Sequence, residues 1–344
     1  MIKSIGLQNF RRFDALFLTV PYNLVILVGN NAVGKTTILE SIYFCSTSKS
    51  HRTNDFKELI KTGANYSHIK IETFEKCYDI VLSSEGKKMR INQNNVDRIS
   101  DFIGDLKCIL FSPNDLLLIT GEKAPRRNFF DLEMSLLNKN YLKWTSEFRK
   151  LLKKRNDILK EETIDDILLD TVTNQMIERE VLIMEYREKF INLLNTYLDS
   201  PMSKISGNEK IIIKYQKSIN SDPKAFYKSK LEYDKRTKMT NYGPHRDDFV
   251  FYMNDEEASV YCSQGQIRSI AISLKIALSK LIQETTRRPI VLLLDDVFSE
   301  LDTDRQKKLV AFLLEEPQTF ITTTSLTGIP RELLNKSHIV HLKE

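Results

Sequence analysis

No apolar run in this 344-residue chain approaches the roughly 18 to 20 residues needed to span a bilayer, so a membrane-embedded protein is not expected. Cysteine is sparse as well: Cys45, Cys77, Cys108 and Cys262 lie far apart with no CxxC pair. That spacing argues against a disulfide framework and against a zinc site, and leaves buried free thiols as the expectation. There is no internal repeat and no low-complexity tract. The opening MIKSIGLQNFRRF alternates and carries early basic residues with no apolar block behind them, so it does not read as a signal peptide and the chain is expected in the cytoplasm.

What is present fits a soluble globular protein, with 41% hydrophobic and 28% charged residues. The length suffices for two domains and a substantial core. The net charge of +5 is modest but unevenly placed: residues 121–240 hold 24 Lys and Arg against 19 Asp and Glu, leaving 27 of each sign elsewhere. The middle of the chain therefore carries the whole excess. A solvated helical surface is one reading of it, and a nucleic-acid face is the sharper one.

Short strand-like runs separated by turns occupy the first hundred or so residues: 2–8, 16–20, 24–28, 69–74, 78–82, 88–91 and 108–111, with a helix from Thr36 to about Phe44 among them. From Arg126 to about Leu198 the periodicity turns helical, with Leu151, Leu152, Ile158 and Leu159 on one face and Ile183, Tyr186, Phe190, Leu194 and Tyr197 on the next. A pair of antiparallel helices is expected, the longer of about 35 residues and about 50 Å. A loop over 199–210, a strand IIIKYQ and a basic helical stretch follow. Strand texture returns at 249–253, 290–294, 319–324 and 339–342, with helices after residue 263 and over 305–314. The pattern predicts an α/β nucleotide-binding head over 1–120 and 241–344, split in sequence by a mostly helical basic domain over 121–240.

Gly29, Asn30, Asn31, Ala32, Val33, Gly34, Lys35 and Thr36 fit GxxxxGK[ST] completely, behind the apolar run NLVILV and ahead of a helix that takes in Thr37. Glycines at 29 and 34 let the backbone turn its N–H groups toward phosphates, and the helix N-terminus adds a favourable dipole. Lys35 is expected on the β- and γ-phosphates and Thr36 on Mg2+. The aliphatic run IVLLLDD delivers two carboxylates to the carboxyl edge of a buried parallel strand. Asp295 is expected to hold Mg2+, directly or through water, and Asp296 to orient the attacking water. The stretch SQGQ at 263–266 opens an amphipathic helix with Ser263 as a good N-cap and Ile267, Ile270, Ala271, Leu274, Leu278 and Leu281 as its buried stripe.

The order phosphate loop, SQGQ helix, acidic strand and SELD (299–302) resembles the heads of ABC-type ATPases of the chromosome-maintenance and repair branch. More specifically it resembles the RecF family, through LQNFRRF, SHRTND at 50–55, LFSPNDLLLITGEKAPRRNFFD at 110–131, YGPHRDD at 242–248, SQGQIRS and LLLDDVFSELD. These stretches span nearly the whole chain. The resemblance implies an ABC-type P-loop ATPase head split by a mostly α-helical second domain with a short antiparallel helical arm. It makes Gly29, Gly34, Lys35 and Thr36 the Walker A cradle and Asp295 the Walker B acid. Ser263, Gly265 and Gln266 become signature residues that reach the nucleotide of a second copy, Asp302 the D-loop acid, and Arg11 a basic residue near the nucleotide. For YGPHRDD, a structural turn at a domain junction and a DNA contact stand as equal readings of His245 and Arg246.

Departures from general ABC practice point to slow hydrolysis used as a switch. Gln264 stands where many signatures have Gly, Asp296 replaces the usual glutamate, TFITTT carries no switch histidine, and LFSPND supplies Asn114 and Asp115 but no Q-loop glutamine. The implied function is ATP-dependent dimerisation and weakly sequence-specific binding of gapped, duplex and single-stranded DNA in recombinational repair, replication-fork maintenance and the SOS response. RecO and RecR are the implied partners, and DNA-stimulated ATP hydrolysis is expected to be weak. Candidate phosphate contacts are Lys150, Lys153, Lys154 and Arg155 in RKLLKKR and Lys235, Arg236 and Lys238 in DKRTK. The alternative is an ATPase subunit of another ABC-type system such as a solute transporter, against which the split head argues. A long-armed chromosome-compaction protein would need an arm far longer than about 50 Å.

Overall fold

The computed structural model describes residues 1–206 and 209–343. From the N-terminus its elements are β1 (Ile2–Phe10), β2 (Phe13–Thr19), β3 (Leu24–Val28), α1 (Lys35–Thr47), β4 (Tyr66–Thr73), β5 (Cys77–Ser83), β6 (Gly86–Ile91), β7 (Asn94–Asn95), α2 (Ile99–Phe102) and β8 (Cys108–Phe111). Then come α3 (Leu117–Thr120), α4 (Lys123–Leu137), α5 (Lys139–Ile158), α6 (Asp166–Ser206), β9 (Ile211–Gln216), α7 (Pro223–Thr237), β10 (Asp248–Met253), β11 (Glu256–Glu257) and α8 (Ala258–Tyr261). The chain ends with α9 (Gln264–Thr286), β12 (Val291–Asp295), α10 (Thr303–Leu313), β13 (Gln318–Thr323), α11 (Arg331–Lys336) and β14 (His338–His341).

Two compact units emerge. One comprises Met1–Asp115, Ser200–Gly207 and Ser269–Glu344, the other Leu116–Asp199 and Asn208–Arg268. In the first, a parallel sheet of order β14-β3-β13-β12-β8 accompanies a six-stranded antiparallel sheet of order β2-β1-β4-β5-β6-β7. The five residues of β3 and the four of β8 are all buried, as a strand covered on both faces requires. In β5 buried and half-buried residues alternate, so Tyr78, Ile80 and Leu82 share one face. Helix α1 contributes Ile38, Leu39 and Ile42 to a single core with Ile5 and Ile69 of one sheet and Val25, Leu293 and Phe320 of the other.

The second unit holds α3–α5, most of α6, the sheet β11-β10-β9, α7, α8 and the opening of α9. The helical stretch from 126 breaks twice. Asn138 ends α4 and caps α5, its side chain accepting the N–H groups of Asn140 and Tyr141. Helices α5 and α6 run antiparallel, because side-chain hydrogen bonds pair 155 with 173, 147 with 179 and 141 with 187. Helix α6 has 41 residues and so spans about 60 Å, longer than the sequence suggested. The extra length comes from DSPMSKIS, expected as loop but helical through Ser206; Gly207 and Asn208 of the expected loop over 199–210 lie outside the described residues. The two-residue strands β7 and β11 follow hairpins whose Asn92-Gln93 and Asn254-Asp255 pairs have positive φ, a local feature that the period-two reading passed over.

Candidate functional site

β3 delivers the chain to the glycine loop, and α1 begins at Lys35. Gly34 has φ +103°, and a Cβ there would stand 2.4 Å from the Phe13 ring. At Gly29 a Cβ would stand 2.6 Å from the Leu342 carbonyl oxygen. Both positions therefore admit only glycine, one through backbone conformation and close packing, the other through close packing. Lys35 is 8% exposed, and its Nζ donates to the carbonyls of Gly29 at 2.6 Å and Asn30 at 2.7 Å. Burial lowers its pKa, and the carboxylates of Asp296 and Asp295 oppose that shift.

The register of β12 against β13 sets Asp295 opposite Thr322. Asp295 Oδ1 accepts a hydrogen bond from Thr322 Oγ1 at 2.8 Å and another from Thr36 Oγ1 at 2.8 Å. Residues 259 apart in sequence thus share one oxygen. Asp296 takes a left-handed conformation with φ 52°, and its N–H donates to Thr322 Oγ1 at 3.0 Å. Lys35, Thr36, Asp295 and Asp296 line one cleft of about 640 Å³ with Asn31, Ala32, Gly34, Thr37, Arg11, Arg12 and Arg52. That is the size of a typical small-ligand site.

Arg11 lines the cleft as expected, but its guanidinium is already engaged. It makes two bonds to Glu40, at 2.8 and 3.1 Å, and donates to the Glu58 carbonyl at 3.1 Å. Glu40 is fully buried on α1 and also accepts from Ser50 and Arg52. Burial would raise its pKa, yet the hydrogen bonds from Arg11 and Ser50 hold it below the usual carboxylate range. LQNFRRF and SHRTND therefore meet at one carboxylate. Arg12, exposed beside the glycine loop with its Cδ 3.2 Å from where a Gly34 Cβ would be, and Arg52, drawn toward Glu40, are lining cations that the sequence reading missed. The doubled arginine in NFRRF was the available signal for Arg12.

In the second unit, SQGQ forms a capping box. Ser263 Oγ accepts the Gln266 N–H at 3.3 Å, and Gln266 Oε1 accepts the Ser263 N–H at 2.8 Å. Gln266 also donates to Glu209. The serine and the second glutamine thus organise the helix mouth, where Gly265 stands between them.

Among the basic candidates, Lys150, Lys153, Lys154, Arg236 and Lys238 are exposed. Arg155 is not: it is fully buried, with Nη1 on Asp234 at 2.9 Å and Thr240 at 2.6 Å and Nε on Thr173 at 2.9 Å. Its expected role as a phosphate contact is corrected to a core ion pair, since a guanidinium with no exposed surface cannot meet a backbone phosphate. Lys235 is half-buried and paired with Asp166 at 2.8 Å and Glu232 at 3.6 Å, which competes with any phosphate. In YGPHRDD, Asp248 pairs with Arg126 at 2.8 Å, and Asp247 receives Arg187 at 3.0 Å and the Tyr215 hydroxyl. Arg187 also pairs with Asp131 at 2.9 Å and donates to the Pro244 carbonyl at 2.8 Å. His245 Nε2 lies 3.1 Å from the Thr240 carbonyl oxygen, whereas Arg246 is exposed. The motif is thus mainly a structural hub of the second unit that joins residues 126–131 to 243–248.

A parallel sheet carrying a glycine loop and an acidic strand end, in a chain whose signature-like helix and helical insertion lie between them, defines an ABC-type ATPase head. A family model described as the RecF/RecN/SMC N-terminal domain matches residues 1–329. The DNA replication and repair protein RecF of Halalkalibacterium halodurans is 37% identical over 363 residues, covering 100% of this chain and 98% of its own. That of Acholeplasma laidlawii is 38% identical over 326 residues, covering 94% and 93%. The chain belongs to the RecF family. A solved structure of the recombination mediator protein RecF-ATPrS in the RecFOR pathway has a TM-score of 0.89 and 30% identity over 96% of this chain and 94% of that one. An Smc head bound to the C-terminal winged-helix domain of ScpA has a TM-score of 0.57 at 14% identity, a likeness of fold alone. These relatives do not favour the transporter alternative, and among the described residues no helix is long and apolar enough to cross a membrane.

Proposed function

We propose that this chain is an ATP-binding protein of DNA replication and repair, in which ATP joins two copies and slow hydrolysis releases them. The observation that carries the proposal is the Thr36 hydroxyl on Asp295 at 2.8 Å beneath a glycine loop that tolerates no side chain at 29 or 34. Two hard oxygen donors so close suit Mg2+, whose charge, when the ion is bound, offsets that of the β- and γ-phosphates. Lys35 binds phosphate oxygens at the mouth of α1, and the N–H groups of residues 31–36 cradle the chain of phosphates. Arg12, exposed and lining the same cleft, adds a further cation. Asp296, one methylene shorter than a glutamate, orients a water and takes its proton, a role that supports a switch rather than a motor.

Ser263, Gly265 and Gln266 open α9 as an anion site for the phosphates that a second copy holds on its own loop. The exposed lysines and arginine at 150, 153, 154, 236 and 238 supply phosphate contacts to gapped, duplex or single-stranded DNA. Such binding is weakly sequence-specific and falls with salt. By resemblance, RecR and RecO are the partners with which it would place a recombinase, in the cytoplasm.

Light scattering with and without ATP-Mg2+ tests the proposal on wild type, Lys35→Met and Ser263→Arg. Dimers are expected in the wild type with ATP alone. A wild type that stays monomeric, or a Ser263→Arg variant that still dimerises, refutes the joining of copies through phosphate loop and signature.

A further inference from the structure

We infer that Arg305 is a positioning residue that locks the SELD loop and the SQGQ helix into one element, presented as a unit to a second copy; the inference rests on the ATP-joined dimer proposed above. Asp302 caps α10, accepting the Arg305 N–H at 2.9 Å, and Arg305 Nη1 pairs with the same carboxylate. Nε turns to a different partner and donates to Ser269 Oγ at 2.9 Å. A guanidinium can hold a carboxylate and a hydroxyl at once in a fixed plane, which a lysine cannot.

Ser269 is fully buried in α9, three residues beyond Gln266, about one turn of helix. The same helix α10 places Lys308 Nζ on the Ile205 carbonyl at 3.0 Å, in the tail of α6. Further along α9, Lys275 Nζ donates to the Leu110 carbonyl at 2.7 Å and pairs with Asp115 at 2.9 Å. All three contacts lie within the first unit, and they fall at or beside Asp115, Ser200–Gly207 and Ser269, where the chain passes to or from the second. Through α10 the SELD loop thus grips the roots of both α6 and α9. Since α9 is continuous from Gln264, a displacement of Asp302 that carries Ser269 also carries the helix mouth.

Arg305→Ala, Ser269→Ala, the double variant and Arg305→Lys test the lock by two routes. The first is hydrogen exchange on the nucleotide-free monomer: Arg305→Ala is expected to raise exchange over 264–270 together with 299–305. A rise confined to 299–305 overturns the lock. The second is dimerisation in ATP-Mg2+, read by light scattering beside binding of a fluorescent ATP analogue to the single copy. Dimerisation is expected to weaken about tenfold or more in Arg305→Ala, with analogue binding unchanged. Arg305→Lys is expected not to restore it, and the double variant is expected to be no weaker than Arg305→Ala. Additive losses, or dimerisation unchanged in Arg305→Ala, overturn the inference. A wild type that does not dimerise overturns the presentation to a second copy, and the exchange experiment then decides the lock separately.

Discussion

Replacing Arg155 with methionine separates a core ion pair from a DNA contact. The two side chains of the Arg155–Asp234 pair are 1% and 0% exposed. The guanidinium bonds Asp234, Thr240 and Thr173 and lies 5.2 Å from the Tyr227 ring centroid. Methionine fills much of the stem volume but removes every one of those donors. Asp234 would keep the Asn241 side-chain amide at 3.2 Å as a donor, too little for a buried carboxylate. Breaking one side of a buried pair costs about 3–5 kcal/mol. An exposed lysine such as Lys153 stays within about 0.5 kcal/mol on truncation. Urea unfolding at neutral pH is therefore expected to show the Arg155→Met midpoint lowered by more than about 1 M. Adding Asp234→Asn should recover part of the loss, because no charge is then left unpaired. An unchanged midpoint accompanied by lost DNA affinity would refute the structural assignment.

Glu180 is fully buried, and burial pushes its carboxyl up to about 7 against the opposing Tyr227 hydrogen bond. The folded state therefore binds the extra proton between about 4.5 and 7, and stability falls as pH rises through that window. Burial lowers His245 to about 4, so its contribution is complete above about 6.5 and is lost as pH falls. Glu180→Gln should remove the fall above about pH 4.5 and gain about 3 kcal/mol at pH 8 by urea unfolding; no gain there would contradict the assignment. Arg12→Ala is expected to weaken ATP binding about tenfold in a fluorescence titration without changing stability, whereas Arg11→Ala should destabilise the fold by leaving Glu40 buried with Ser50 and Arg52 alone. Equal thermal stability of those two variants would argue against the distinction. Lys153→Ala with Lys154→Ala should reduce the salt slope of DNA binding by about 2, and an unchanged slope would remove both from the interface.

Much of the first unit is legible from residue order. The glycine spacing, the aliphatic run ahead of it and the acids that end β12 each reflect a local requirement: close backbone approach, burial on both faces, exit at a sheet edge. The SxxQ capping box is likewise a short-range pattern, though only the geometry showed Gln266 returning the bond. Boundaries fared worse. DSPMSKIS looks like a loop by composition, yet it is helical, because propensity is a weak prior that packing overrides.

By itself, then, the sequence determined that a phosphate loop, a signature-like helix and an acidic strand occur in that order, with a helical insertion after the first of them. Only the tertiary structure decided which charges are available. Arg11 and Arg12 are adjacent, and so are Lys154 and Arg155, yet one of each pair is consumed by a buried carboxylate and the other faces water. Those carboxylates, Glu40 and Asp234, lie 29 and 79 residues away from their arginines, beyond the reach of a local pattern, as Asp295 is for Thr36. Charge is a property of the residue, but its freedom to meet a ligand depends on what the fold has already set against it.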